Sequence, residues 1–247
     1  MSASNLPRRL FAEFLGTGLL VTVVVGSGAA AERLSPGDVG LQLLQNSLAT
    51  VFGLTALILM LGPVSGAHFN PVVSLAEWFL ARRSPGGITL PEVGAYSVAQ
   101  VSGGIGGALL ANAMFDIGLD LSTKERAASG HLLGEVVATA GLVALIFALV
   151  RSQRGALAAP AVGVYIGAAY WFTSSTSFAN PAVTIGRIFS DSFAGIAASS
   201  APAFIAMQLI GLVVGVGITL VLYPDITTRA GNAEDAVVPH PQSTPTS

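Results

Sequence analysis

Residues 65–74 read SGAHFNPVVS and residues 178–184 read FANPAVT, so one Asn-Pro pair occurs twice in similar surroundings. Asparagine is a favoured N-cap and proline a favoured first helical residue, so each pair predicts the start of a helix. The runs that follow, Pro71–Leu80 and Pro181–Phe189, are too short to cross a bilayer, because ten residues rise about 15 Å through a core of about 30 Å. Each pair therefore predicts a half-helix that begins inside a membrane.

The composition of the whole chain agrees with a membrane environment. Of its 247 residues, 52% are hydrophobic and 10% are charged, whereas soluble domains carry about 25% charged residues. The first of six apolar runs contains Glu13 and is longer than the about 7–15-residue core of a signal peptide, which favours a retained span over a cleaved leader. The six predicted spans are Leu10–Ala31, Leu41–Leu61, Val93–Phe115, Leu132–Val150, Leu157–Phe172 and Pro202–Leu222.

Several classes of function are excluded by residue content. A formal charge of −2 without a basic block argues against a nucleic-acid partner. The chain has no cysteine and only three scattered histidines, so we expect no metal site, no disulfide and no thiol nucleophile. No Ser/His/Asp constellation can be placed, so we expect neither an enzyme nor a bound cofactor.

The two halves of the chain echo each other. Glu13 lies in AEFLGT of the first span and Glu135 in GEVVAT of the fourth, and in each half an Asn-Pro motif follows the next span. Three spans per half require the second half to enter the membrane inverted, an arrangement typical of transporters and channels. The sequence thus predicts an all-α membrane protein with six transmembrane helices plus two re-entrant half-helices in an inverted repeat.

The predicted domain boundaries follow from this repeat. The channel domain covers residues 10–223, with halves of about 10–117 and 130–223. Residues 1–9 form a short N-terminal segment, and the polar residues 224–247 form a disordered tail.

A lone Asn-Pro is more often a turn, but two at matching positions predict half-helices that meet at the membrane midplane.

The distribution of Lys and Arg predicts the orientation. Seven basic residues fall on the side of the termini and four on the other, so the positive-inside rule places both termini in the cytoplasm. The first set is Arg8, Arg9, Arg82, Arg83, Arg151, Arg154 and Arg229, and the second is Arg33, Lys124, Arg126 and Arg187.

With its paired motifs and helix-borne glutamates, the chain resembles the aquaporin and glycerol-facilitator family over nearly its full length. The resemblance implies a homotetramer in the bacterial inner membrane. Each subunit would contain one pore for small neutral solutes. The pore midplane would lie at Asn70, Pro71, Asn180, Pro181 and Ala182. The resemblance also favours Glu13, Glu135 and His68 as braces of the re-entrant loops, over the alternative that the glutamates couple transport to protons or that His68 gates the pore.

The family's outer constriction maps by spacing onto Thr50, Ala168, Ser177 and Val183, with Ala49 and Phe52 as competitors for the first position. Family members usually carry arginine where this chain has Val183, so we expect a wider and less polar constriction. Arg187, at the outer mouth, either pairs with Asp191, which we favour, or partly replaces the missing charge.

The sequence around Val183 also resembles bacterial channels associated with arsenic resistance, because similar residues occur at 170–173 and 191–195. We therefore expect a passive channel for water, glycerol-like polyols or arsenite. The alternatives are a proton-coupled secondary transporter that uses Glu13 and Glu135, and a structural membrane protein with a closed pore, which the short outer loops disfavour.

Overall fold

The computed structural model describes residues 6–81 and 87–224, and in this part of the chain all regular structure is helical. A 3-10 turn precedes the sixth helix at Gly155–Leu157 and another follows the seventh at Arg187–Phe189. In chain order the helices are α1 (Leu6–Leu34), α2 (Val39–Ser65), α3 (Pro71–Ala81), α4 (Leu90–Met114), α5 (Ser129–Arg151), α6 (Ala158–Phe172), α7 (Pro181–Gly186) and α8 (Ala201–Leu222).

Six of these segments are long and apolar enough to cross a bilayer, which confirms the six predicted spans. The boundaries shift by a few residues: α1 begins at Leu6 rather than Leu10, and α2 extends to Ser65. Residues 6–9 therefore form the first turn of α1. Residues 1–5 and nearly all of the predicted tail, 225–247, lie outside the described residues.

The two short helices begin where the sequence predicts, at Pro71 and Pro181. The long helix before the first one stops because Gly66 takes a left-handed φ of 89° while its N–H bonds the Gly62 carbonyl at 2.9 Å. The second half-helix is shorter than predicted, because regular α-structure ends at Gly186 and a 3-10 turn completes the run to Phe189.

Glycines set the packing of the scaffold, and they do so in the same way in both halves. A Cβ on Gly107 would lie 2.0 Å from the Gly18 carbonyl oxygen, so α1 and α4 are in backbone contact there. In the second half, a Cβ on Gly215 would lie 2.6 Å from the Ala140 carbonyl oxygen, where α5 meets α8. Small residues at such crossings allow the close approach that drives helix association in membranes.

Candidate solute pore

The N-terminal tips of α3 and α7 meet through a reciprocal pair of hydrogen bonds. The Asn70 Nδ2 donates to the Ala179 carbonyl at 2.8 Å, and the Asn180 Nδ2 donates to the Phe69 carbonyl at 2.7 Å. Each side-chain oxygen caps its own helix, since it accepts the N–H of the residue two positions later at 3.0 and 2.9 Å. The two half-helices therefore meet tip to tip, as their inverted arrangement requires.

Both loops that lead to these tips have the same unusual backbone. Left-handed φ values occur one, three and four residues before each asparagine, at Phe69, Ala67 and Gly66 and again at Ala179, Ser177 and Thr176. Five of these six residues are not glycine, and such conformations cost on the order of 1–3 kcal/mol each unless the surroundings hold them. The identical offsets show the repeat at the level of single residues.

In the first half, Glu13 holds the loop. Its Oε1 accepts the Ser65 hydroxyl at 2.6 Å and the His68 N–H at 3.0 Å, and its Oε2 accepts the Phe69 N–H at 2.7 Å and the Gln100 amide at 2.7 Å. The carboxylate is fully buried. It thereby supplies partners to backbone groups that water does not reach at this depth.

In the second half, Glu135 holds the equivalent loop. It accepts the N–H groups of Phe178 and Ala179, both at 2.9 Å, and the Gln208 amide at 2.6 Å. The geometry of both glutamates is that of a brace, with each carboxylate committed to two loop N–H groups.

An interior cavity of about 70 Å³ runs past the point where the half-helices meet. Both asparagines line it, whereas Pro71, Pro181 and Ala182 are buried behind them. The wall is mainly apolar, with polar groups from Thr50, His68, Tyr170, Ser177 and Arg187. The other lining residues are Leu20, Val24, Leu54, Ile58, Gly66, Ala67, Phe69, Val73, Leu142, Ile146, Ala158, Val162, Ile166, Phe178, Ala179 and Val183.

Three of the four residues expected at the outer constriction line this cavity: Thr50, Ser177 and Val183. At the first position the competitor Phe52 is 69% exposed on the outside of the helix. The Thr50 hydroxyl donates to the Asn46 carbonyl at 2.9 Å and lies 3.0 Å from the Tyr170 hydroxyl.

The expectation for Ala168 is wrong, because this residue lies on the exposed face of α6. The cavity is lined instead by Val162, Ile166 and Tyr170, which follow one another at four-residue steps on the opposite face. Ala168 is two positions from each of the last two, about 200° around the helix. The four-residue spacing in the sequence was the signal that could have identified Tyr170.

On the α3 side, His68 lines the cavity and its ring is held by two neighbours. Its Nδ1 lies 2.9 Å from the Ser74 hydroxyl and its Nε2 lies 2.7 Å from a Glu77 carboxylate oxygen. The ring also packs at 5.3 Å from that of Tyr96. Glu77 was not predicted, although a carboxylate in a short apolar half-helix was a visible signal in the sequence.

On the α7 side, Arg187 occupies the position that corresponds to Glu77, seven residues after the asparagine. The expected pair with Asp191 is absent: Asp191 accepts the Thr123 N–H at 3.0 Å instead. The Arg187 guanidinium lies over the Phe178 ring, 3.5 Å from its centroid, while its Nε donates to the Ala194 carbonyl. Arg187 is 2% exposed and lines the cavity.

Two further basic residues, from the connection between α4 and α5, contact the loop that follows α7. Lys124 donates to the Phe193 carbonyl at 2.9 Å, and Arg126 donates to that carbonyl at 3.1 Å and to the Gly195 carbonyl at 2.8 Å. Burial lowers the pKa of Lys124, and the neighbouring Arg126 guanidinium lowers it further. Burial likewise lowers the pKa of Arg126. Three basic side chains, including Arg187, thus lie beside the α7 end of the cavity, and the carboxylates of Glu32 and Asp191 lie near Lys124.

Comparison with known proteins agrees with this geometry. The sequence model of the major intrinsic protein family matches residues 1–177. The chain belongs to the major intrinsic protein family. Members of this family are channels and not enzymes, so this major intrinsic protein is a multi-pass membrane channel. The match ends before Asn180, and the second motif is linked to the first by the repeated geometry described above.

Two relatives of this major intrinsic protein are similar over most of their length. The chain is 48% identical over 214 residues to "Aquaglyceroporin AqpS" of Rhizobium meliloti, covering 86% of this chain and 89% of that protein. It is 33% identical over 243 residues to "Aquaporin Z" of Photorhabdus laumondii subsp. laumondii, covering 88% and 98%. The solved aquaglyceroporin from Plasmodium falciparum shares the fold, with a TM-score of 0.61 and 21% identity over 87% of this chain and 94% of that one.

Proposed function

We propose that this channel passes small uncharged solutes passively, and that its solutes are water, glycerol-like polyols and arsenite. The observation that carries the proposal is the reciprocal contact of Asn70 and Asn180 beside a cavity, in a chain of a channel family. The similarity to a protein named an aquaglyceroporin supports the polyol class.

Selection against ions follows from the wall chemistry. A neutral solute that leaves water can exchange its hydration for the asparagine amides and a few hydroxyl and carbonyl groups. An ion cannot recover its solvation in a mainly apolar tube, and two positive half-helix ends that point to the midplane repel cations. The proposed midplane residues are Asn70, Pro71, Asn180, Pro181 and Ala182.

The proposed constriction on the α7 side consists of Thr50, Tyr170, Ser177 and Val183, with Tyr170 in the place first assigned to Ala168. Val183 offers neither a charge nor a hydrogen-bond donor, whereas an arginine at this position would bring a long side chain with five donors. The constriction therefore has fewer donors than one that carries the arginine. It also keeps the space that the long arginine side chain would fill, and this space favours solutes larger than water.

The substitution Val183→Arg tests this assignment. Because a long side chain would narrow the constriction, we expect glycerol flux to fall by about tenfold or more while water flux falls less. Stopped-flow light scattering on proteoliposomes measures both, and arsenous acid is followed in the same vesicles. Val183→Leu is the control for side-chain volume without charge. Equal glycerol flux in wild type and Val183→Arg would show that Val183 does not face the limiting section.

We further propose a homotetramer in a bacterial inner membrane, with the termini in the cytoplasm and a channel domain of residues 10–223. Native mass spectrometry of the detergent-solubilised protein gives the number of subunits. Because the chain has no cysteine, the orientation can be read from Asp120→Cys and Ser247→Cys. An impermeant thiol reagent added to intact cells should label the first and spare the second.

A further inference from the structure

Arg187 is a buried cation without a carboxylate partner in the described part of the chain. Ion pairs in that part of the chain join Arg9 to Glu92 and His68 to Glu77, and none is seen at Arg187. Glu135, whose carboxylate is close enough for its charge to act on Arg187, is committed to the loop N–H groups. A buried charge without a counter-ion is unfavourable, so the site is electrostatically suited to an anion.

The donors of this guanidinium are only partly used. The Nε donates to the Ala194 carbonyl, and the face of the group lies on the Phe178 ring. The two terminal nitrogens, which carry four of the five N–H donors, make no hydrogen bond to any described residue. The side chain lines the cavity although it is 2% exposed, so these donors are available only from inside the pore.

A second unpaired group lines the same cavity. The Ser177 hydroxyl is buried and has no hydrogen-bond partner within residues 6–81 and 87–224. It immediately precedes Phe178, the ring on which the guanidinium lies, while Val183 adds an apolar surface. We call Arg187, Ser177 and these two apolar neighbours the α7 mouth.

Arg126 adds to the positive potential at the α7 mouth. Its guanidinium lies 5.3 Å from the centroid of the Phe178 ring, so the ring contacts two cations. Positive side chains around a narrow, low-dielectric entrance concentrate small anions there.

From these contacts we infer that the α7 mouth binds short-chain monocarboxylates such as acetate, and that a bound carboxylate obstructs the flux of neutral solutes. Guanidinium groups bind the two oxygens of a carboxylate through parallel hydrogen bonds. The Ser177 hydroxyl offers a third contact, and the apolar neighbours accept a short alkyl group. A polyol can offer hydroxyl oxygens to the same donors, but it carries no charge. The inference rests on the proposed function only in placing this mouth on the solute path.

Inhibition of glycerol flux tests the inference. Proteoliposomes hold equal sodium acetate on both sides at pH 7, and glycerol flux is compared with vesicles that contain acetamide, which has the same shape without the charge. We expect acetate to inhibit saturably, with about a twofold loss of flux when its concentration equals its dissociation constant. Acetamide should inhibit far less. Equal inhibition by the two compounds would overturn the inference.

Variants assign the effect to the mouth. Arg187→Gln should abolish inhibition by acetate, and Arg187→Lys should weaken it, because lysine keeps the charge but loses the planar fork. Arg33→Gln is the matched control, since Arg33 stacks on Phe115 away from the cavity, and inhibition should be unchanged. Inhibition that survives in Arg187→Gln would refute the site.

Direct binding separates this inference from the proposed function. Calorimetric titration of the detergent-solubilised wild type with acetate requires no transport. Acetate binding in a protein that passes no glycerol would retain the site and reject the proposed function. Glycerol flux without acetate binding would retain the proposed function and reject the carboxylate site. If Arg187→Gln does not fold, Arg187→Lys and Ser177→Ala still report a weaker binding constant.

Discussion

Each motif asparagine uses both ends of its side-chain amide. The oxygen of Asn180 accepts the Ala182 N–H at 2.9 Å, while its nitrogen donates to the Phe69 carbonyl at 2.7 Å. One of the two amide N–H groups remains, and both asparagines line the cavity. A single residue type therefore caps its own helix, ties the opposite loop and offers a donor to the solute path.

The glutamate braces give a prediction at the same scale. In Glu135→Gln an NH2 group replaces one of the oxygens that accept the N–H groups of Phe178 and Ala179. Hydrogen bonds to charged groups contribute about 1.5–3 kcal/mol, so we expect the free energy of unfolding to fall by about 2 kcal/mol. Thermal unfolding in detergent measures the loss.

Thr139, on the same helix, provides the matched control for that substitution. Its hydroxyl is buried and bonds to nothing within the described residues. Thr139→Val keeps the shape and removes this unpaired group, so stability should stay constant or rise. A Glu135→Gln protein as stable as Thr139→Val would contradict the bracing role.

The two loops differ in one respect that matters for charge. Two residues before each asparagine stands His68 or Phe178, and seven residues after it stands Glu77 or Arg187. On the α3 side the His68 imidazole therefore contacts the Glu77 carboxylate, and on the α7 side the Arg187 guanidinium stacks on the Phe178 ring. The repeat keeps the backbone and the braces, while a paired carboxylate, Glu77, stands in one half where the other half has the cation Arg187.

At the scale of helices, the distance between α1 and α4 is set by glycine. A Cβ on Gly107 would overlap the Gly18 carbonyl oxygen at 2.0 Å, so Gly107→Ala must push the helices apart. Over-packing of this kind costs about 1–3 kcal/mol, and we expect the melting temperature to fall accordingly.

A substitution at the neighbouring Gly106 tests whether the lower melting temperature of Gly107→Ala comes from the contact between α1 and α4. A Cβ at this position meets no atom of any other described segment within 4 Å. Gly106→Ala should leave stability unchanged or raise it by up to about 1 kcal/mol, because alanine favours a helix more than glycine does. If both alanine variants melted at the same temperature, the close approach of α1 and α4 would not be the stabilising feature.

At the scale of the whole molecule, the inverted repeat places an interior cavity between its halves and commits both glutamates to hydrogen bonds with the loops before the half-helices. A proton-coupled mechanism would need carboxylates that are free to release and take up protons as the solute moves. We therefore expect glycerol flux to rise linearly with the gradient and to be the same in both directions.

A protonophore distinguishes the two mechanisms. In proteoliposomes with an imposed proton gradient, collapse of that gradient should leave glycerol flux unchanged. Flux that saturates and stops when the gradient collapses would favour the coupled transporter instead.

Local signals in the sequence were sufficient for the elements of this fold. Apolar runs located the six spans, and the Asn-Pro pairs located the half-helices at Pro71 and Pro181. These features depend on hydrophobicity and capping, which are properties of neighbouring residues. The echo of Glu13 and Glu135 also revealed the repeat, because matching offsets are visible without any knowledge of contacts.

The sequence by itself thus determined that this chain crosses a membrane six times and carries two half-helices in an inverted repeat. Only the tertiary structure decided which face of α6 meets the cavity, so that Tyr170 takes the place expected for Ala168. It also decided the partner of Arg187, which lies on Phe178 and not beside Asp191. The reason is physical: helix formation is set by neighbouring residues, whereas the direction of a side chain depends on packing against distant segments of the chain.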